Sequence, residues 1–171
     1  MARLKQQYES DGFFGIGVLH SQEEFNIGTL WRSAYIMGAS FIFTIDKKYK
    51  KQASDVTRAW TRIPLYNYAT FTEFKAALPV STQLIGIELC ENSTQLSEFV
   101  HPSRAVYLLG NEGSGLPEDI LSECVSTVAL PGNFSLNVAV EGSIVLYDRV
   151  AKMGSRLPER RHTKPGEQAA P

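Results

Sequence analysis

Short apolar runs alternate with segments of helical periodicity along most of this chain, and that alternation constrains its fold more than any other feature. Phe13-Phe14-Gly15-Ile16-Gly17-Val18-Leu19 reads as a buried strand. Asn26 then fits a helix N-cap, and Ile27, Leu30, Trp31, Ala34 and Tyr35 recur at helical spacing. Ser40 to Ile45 is a second strand, and a basic helical segment from about Lys50 to Trp60 leads to a short apolar run, Ile63 to Tyr66. Phe71 to Leu78 reads as a helix that stops before Pro79, because a residue preceding proline is pushed out of the helical region. Leu84 to Leu89, Ala105 to Leu109 and Thr127 to Leu130 are further strands. Between the last two, Pro117 to Cys124 starts a helix with proline in its first turn, and Leu136 to Met153 is the longest helical run. Strands alternating with helices predict an α/β fold, a parallel sheet flanked by helices on both faces.

A length of 171 residues suits a single domain with a sizeable core, and 43% hydrophobic against 20% charged residues favours a folded chain over disorder. The expected domain runs over 1–153; the polar tail, 154–171, rich in Pro, Arg and Glu, is expected to be flexible and to add nothing to the core. No apolar run reaches the roughly 18–20 residues that cross a membrane. The charged N-terminus is not followed by an apolar stretch, so no signal peptide is expected and the cytoplasm is the default location. Cys90 and Cys124 lack metal-like or redox-like spacing; two buried, reduced cysteines and no metal are the expectation. The net charge of −1 says nothing for or against nucleic acid, but the charge is clustered. Lys47, Lys48, Lys50 and Lys51 surround Tyr49, and Arg156, Arg160, Arg161, His162 and Lys164 crowd the tail. Such patches suit phosphate contact beside a stacked base, or simply form a solvated face.

Three segments carry chemistry. Leu109-Gly110-Asn111-Glu112-Gly113-Ser114-Gly115-Leu116-Pro117 is a glycine-rich turn after a strand. It lacks the Gly-Lys-Ser/Thr of a P-loop and the Gly-x-Gly-x-x-Gly of a dinucleotide site, which disfavours a nucleotide triphosphatase or a dehydrogenase. What remains is a strand end where ligands of open α/β sheets bind, and one carboxylate, Glu112, that suits either a ligand or the dipole of the next helix. In Asn26-x-Gly28-x-x-x-Arg32, Gly28 and Arg32 share a helical face, which leaves room beside a guanidinium able to grip a phosphate or to form a surface ion pair. In Leu130-Pro131-Gly132-Asn133-Phe134-Ser135-Leu136-Asn137, Pro131-Gly132 breaks the strand, and Ser135 and Asn137 flank a helix start where Ser135 suits an N-cap. Leu136, Val140, Ile144, Tyr147 and Val150 form an apolar stripe expected to be mostly core, or else a subunit interface; Ala139, Gly142 and Ser143 allow close helix contact.

In this order the three segments resemble the motifs of the SpoU (TrmH-like) family of SPOUT-superfamily RNA 2′-O-ribose methyltransferases. The first motif is matched by Asn26, Gly28, Arg32, Ala34 and Gly38, and the second by Leu109-Gly110-x-Glu112-x-x-Gly115-Leu116. Leu130-Pro131, Ser135-Leu136-Asn137-Val138 and Ile144-Val145-Leu146-Tyr147 match the third, in which only Gly132-Asn133-Phe134 stand where related sequences carry a longer loop. The resemblance spans about Phe13 to Met153. It implies a SPOUT fold with a C-terminal trefoil knot, and S-adenosyl-L-methionine bound mostly through backbone near Leu89, Gly110, Leu130 and Leu136. It further implies a homodimer whose sites combine both subunits, and an RNA substrate, tRNA ahead of rRNA. Arg32 is implied as the residue that activates the ribose hydroxyl, Asn26 as its orienting partner, and Glu112, Ser135 and Asn137 as groups that position the substrate and the loops. Because a guanidinium stays protonated, Arg32 is expected to grip a phosphate and stabilise alkoxide charge rather than to remove the proton itself.

Overall fold

The computed structural model describes residues 12–21, 24–49, 59–132, 134–154 and 157. The basic helical segment expected from Lys50, apart from a 3-10 turn at Ala59–Thr61, lies outside the described residues, as do Asn133 and nearly all of the polar tail. In chain order the elements are β1 (Phe13–Leu19), α1 (Glu24–Ile36), β2 (Phe41–Ile45), β3 (Leu65–Tyr68), α2 (Phe71–Ala76) and β4 (Gln83–Ile87). There follow β5 (Thr94–Gln95), β6 (Arg104–Leu109), α3 (Glu118–Leu121), β7 (Ser126–Ala129) and α4 (Val138–Met153). Among the described residues they form one seven-stranded sheet in the order β3-β2-β1-β6-β4-β7-β5. Every pairing is parallel. The expected α/β architecture is what the chain adopts.

Parallel strands buried on both faces need apolar residues at successive positions, which is why β1 and β6 read as continuous runs rather than alternating ones. Within β6, Ala105, Tyr107 and Leu109 join the core under α1 and α4, while Val106 and Leu108 join the core under α2 and α3. The first core packs Phe14, Ile16 and Val18 against Leu30 and Ala34 of α1 and Val145 and Leu146 of α4. The second packs Phe43 and Ile45 against Phe74 and Ile120, with the Phe43 and Phe74 rings stacked at 4.4 Å. Thr70 caps α2 by accepting the Glu73 N–H at 3.1 Å, and the Glu73 carboxylate reaches back to the Ala69 N–H at 2.7 Å.

Helix α4 corrects two expectations. Its core face carries Val138, Ala139, Gly142, Val145, Leu146 and Arg149. The stripe of Leu136, Val140, Ile144 and Tyr147 is not core; it is exposed, Tyr147 by 62%. The small residues decide this, because they let α4 approach α1: a Cβ on Gly142 would lie 2.6 Å from Leu30 Cδ1, and Ser143 Oγ sits 2.7 Å from Ser33 Oγ. The cap is Asn137, whose side chain accepts the Ala139 and Val140 N–H groups; Ser135 is exposed, two residues upstream of it. Strand β5 has no counterpart in the sequence reading, since two residues are too short for a periodic signal. The two cysteines are free and half-buried rather than fully buried, and burial pushes the Cys124 thiol up to about 11.

At the amino edge of the sheet a buried polar cluster locks α4 down. Arg149, 2% exposed, donates to the Pro102 and Ser103 carbonyls and to the Tyr107 hydroxyl, and its guanidinium stacks over Phe14 at 4.7 Å. His101 joins Tyr107 at 2.5 Å and Asp148 at 2.9 Å. Burial lowers the His101 pKa and pushes the Tyr107 hydroxyl up to about 12. This edge is built for stability. The carboxyl edge is different.

Candidate active site

Beyond the carboxyl end of β6 the chain makes a tight loop from Gly110 to Leu116. An isolated bridge joins Asn111 to Gly115, and Asn111 Oδ1 accepts the Gly113 and Ser114 N–H groups at 2.8 Å each. Gly115 takes φ +65, which glycine adopts without the usual Cβ penalty. Glu88, just past the end of β4, clamps the loop from below: its Oε2 accepts the Leu116 N–H at 2.7 Å and its Oε1 the Leu89 N–H at 3.1 Å. Gly110 faces the returning strand of the loop so closely that a Cβ would fall on the Gly115 backbone carbonyl. Backbone cannot yield as a side-chain tip can. Gly110→Ala is therefore expected to open this loop and weaken binding of a ligand seated against it by at least about tenfold, measured by calorimetry with S-adenosylhomocysteine. Unchanged affinity would show that the loop is not a binding wall.

A single hydrogen-bond chain links all three motif segments. Asn137 Oδ1 accepts from the first turn of α4, its Nδ2 donates to Asn26 Oδ1 at 2.9 Å, and Asn26 Nδ2 donates to Glu112 Oε1 at 2.5 Å. The backbone N–H groups of Ala139 and Val140 can only donate, so they fix the orientation of Asn137 and, through it, that of Asn26. Asn26 is 5% exposed and lies inside α1, two residues after its start. It is not the N-cap expected from sequence: its side chain is held by Glu112 and Asn137, so it does not fold back on the α1 backbone.

Between the Gly110 loop and the approach to α4 lies a cleft of about 410 Å³, lined by Glu88, Gly110 to Gly115, Ser135 to Val138, and Glu141. The site residues expected from sequence divide accordingly. Gly110, Glu112, Ser135, Leu136 and Asn137 line this cleft, and Asn26 is hydrogen-bonded to two of them. Leu130 is buried in the core, Leu89 is exposed next to Glu88, and Arg32 is exposed on α1; none of these three lines the cleft. Gly28, one turn before Arg32, sits under Tyr49, whose hydroxyl a Cβ there would meet at 3.1 Å.

Two cleft residues escaped the sequence reading. Glu88 follows the apolar run of β4, and its position at a strand's carboxyl end was the available signal. Glu141 stands one turn after Asn137 on α4. Burial, and secondly the charge of Glu88, push the Glu141 carboxyl up to about 7. With Glu112, Glu88 makes the cleft acidic, a field that favours a cationic ligand, and Glu141 adds its charge above about pH 7. The sign for stability follows from proton counts. The folded chain keeps the Glu141 proton up to about 7, whereas the unfolded chain loses it near the ordinary 4.5. Stability of the ligand-free protein therefore falls as pH rises through that window and levels off above it. Glu141→Gln removes the decline, so the variant should gain on the parent by roughly 1–2 kcal/mol between about pH 5 and pH 8, followed by thermal melting. A pH-independent difference would contradict this.

The model of the SpoU rRNA Methylase family matches residues 15–147. The chain belongs to this family. Among curated proteins, the tRNA (guanosine(18)-2′-O)-methyltransferase TARBP1 of Mus musculus is 31% identical over 68 residues, which cover 38% of this chain and only 4% of that relative's length. Solved structures share the fold. The A. aeolicus TrmH/SpoU tRNA modifying enzyme superposes with a TM-score of 0.75 at 18% identity, covering 85% of this chain and 77% of that one. The SpoU methyltransferase AviRb from Streptomyces viridochromogenes, in complex with AdoMet, gives 0.71 at 23% identity, covering 84% and 58%. A structure describing 2-OH methylation of C/U34 on tRNA gives 0.72 at 23%, covering 85% of this chain and 99% of that chain. The expected parallel sheet flanked by helices is thereby borne out as the fold these proteins share.

Proposed function

We propose that this chain transfers a methyl group from S-adenosyl-L-methionine to a ribose 2′-hydroxyl of RNA, tRNA ahead of rRNA. The observation that carries the reading is the hydrogen-bond chain Glu112–Asn26–Asn137, which gathers the three motifs at the mouth of an acidic cleft. Family membership supports the chemistry, and the tRNA names of three of the proteins described above support the order of substrates. When bound, S-adenosyl-L-methionine supplies an activated methyl group on a cationic sulfonium.

The cleft suits that cofactor in size and charge, its volume falling within the roughly 300–1,000 Å³ usual for ligand pockets. Gly110 and Leu136, which line the cleft, would hold the cofactor through backbone, whereas Leu89 and Leu130, just past the ends of β4 and β7, stand outside its lining. Glu88, and Glu141 once it has lost its proton, would offset its positive charge. Knotting of the chain around this cleft belongs to the same reading, supported by the way the Gly110 loop and the approach to α4 line one pocket. Arg32 grips the phosphate beside the target ribose and stabilises the developing alkoxide through fixed N–H donors, with the phosphate as relay for the proton. Asn26 orients the ribose, while Glu112, Ser135 and Asn137 position the substrate and the loops.

A homodimer completes the site. The exposed stripe Val140, Ile144 and Tyr147 is continuous with Leu136, which lines the cleft, so a second copy seated on α4 borders the cofactor. No helix among the described residues is long and apolar enough to cross a membrane, and free cysteines accord with a cytoplasmic location. Calorimetry tests the cofactor assignment: S-adenosylhomocysteine should bind with ATP and NAD silent, and tight binding of ATP alone would overturn it.

A further inference from the structure

A second cleft, of about 390 Å³, opens on the same carboxyl edge and is lined by Asp46, Lys47, Lys48, Asn67, Tyr68 and Glu73. It sits over the ends of β2 and β3. The sheet order puts these two and three strands from β6, so roughly 10–15 Å along the edge from the cofactor cleft. The strand ends here are shaped by an unusual backbone. His20 and Asp46 leave β1 and β2 at φ 50 and 64, a left-handed conformation uncommon for residues other than glycine. Each is held there by the ladder, His20 N–H donating to Ile45 O at 3.0 Å and Asp46 N–H to Tyr68 O at 2.9 Å. The bend brings their side chains together, His20 Nδ1 to Asp46 Oδ2 at 2.6 Å. Strained, well-supported backbone of this kind clusters at binding sites.

The lining carries a matched set of groups. The Tyr49 N–H can only donate, and it points at the Asn67 amide oxygen at 3.4 Å; the buried Thr44 hydroxyl shares its one proton between that oxygen at 2.8 Å and the Lys47 carbonyl at 2.6 Å. This leaves Asn67 Nδ2 to donate outward. Asp46, in the same lining, offers an acceptor, and the exposed Lys48 supplies a cationic head that suits a phosphate. A donor and an acceptor side by side read a base edge, and single-stranded RNA is recognised through such edges. We propose that this second cleft holds a nucleotide of the RNA flanking the one whose ribose is methylated, and so contributes to substrate choice. The proposal rests on the RNA methyltransferase reading given above.

The test uses the full chain, with radiolabelled total tRNA and total rRNA in filter binding and S-adenosylhomocysteine in calorimetry. Asn67→Asp keeps the inward acceptor and exchanges the outward donor for an acceptor, so tRNA affinity should fall about tenfold while S-adenosylhomocysteine affinity stays within about twofold. Lys48→Ala, on an exposed side chain, should weaken tRNA binding several-fold and lower the slope of log affinity against log salt by about one, which a packing defect would not do. If the aspartate variant loses both ligands, the lysine variant decides alone. Parental tRNA affinity and salt slope in Lys48→Ala, or parental tRNA affinity in a folded Asn67→Asp, overturn the second cleft and leave the function standing. A parent protein that binds S-adenosylhomocysteine but neither total tRNA nor total rRNA overturns the RNA reading itself.

Discussion

Arg32→Ala is expected to reduce methyl transfer by about a hundred- to a thousandfold, the scale on which loss of a group that stabilises transition-state charge is felt. S-adenosylhomocysteine affinity should change by no more than about twofold, because Arg32 is exposed on α1 and contributes nothing to the lining of the cofactor cleft. Arg32→Lys separates charge from geometry: a lysine keeps the positive charge and loses the planar fork that grips phosphate through two parallel bonds. It should recover part of the loss, and the recovered part should sit in KM for RNA rather than in kcat. Steady-state transfer at varied RNA concentration with the three proteins makes the comparison. Activity retained by the alanine variant would end the role assigned to Arg32.

Asn26→Asp is expected to be the most damaging isosteric change in the site. It replaces the amide that donates to Glu112 at 2.5 Å with a carboxylate, so two like charges face each other in a position that is 5% exposed. Unpaired charge in such a place costs on the order of 3–5 kcal/mol, or roughly 10 °C in Tm for a chain of this size. The two carboxylates relieve the repulsion by sharing a proton, which raises their apparent pKa. The Tm deficit should therefore be largest above about pH 7 and shrink toward about pH 5, as proton uptake by the folded variant stabilises it. Methyl transfer should be lost at neutral pH. A variant as stable and active as its parent would show that the chain Glu112–Asn26–Asn137 is incidental.

Both predictions depend on geometry that the sequence shows only in part. The parallel sheet was legible because buried parallel strands must be apolar at every position, and Phe13 to Leu19 and Ala105 to Leu109 are. The joining of the three motifs was legible only as an order of segments. Asn26, read as a cap from its residue type, is held instead by Glu112, 86 positions away, and no local rule reaches that far. The same limit applies to α4. Periodicity identified an apolar stripe, but which of two faces is buried depends on how closely α1 approaches, and that is set by Gly142 and Ser143. Glu88 and Glu141 carry no motif; they matter because the strand end and the helix start bring them to one cleft. The left-handed bends at His20 and Asp46, which shape the second cleft, are likewise invisible to patterning, since neither residue type demands that conformation.

Alkaline hydrolysis of RNA labelled by this protein tests the central claim most directly. Base cleavage of a phosphodiester needs a free 2′-hydroxyl, so a methyl group on that oxygen protects the bond on its 3′ side. RNA incubated with the protein and methyl-labelled S-adenosyl-L-methionine should carry its label in alkali-resistant dinucleotides, with none transferred by Arg32→Ala. Label released in mononucleotides would place the methyl on a base, and no label at all would contradict methyl transfer to RNA.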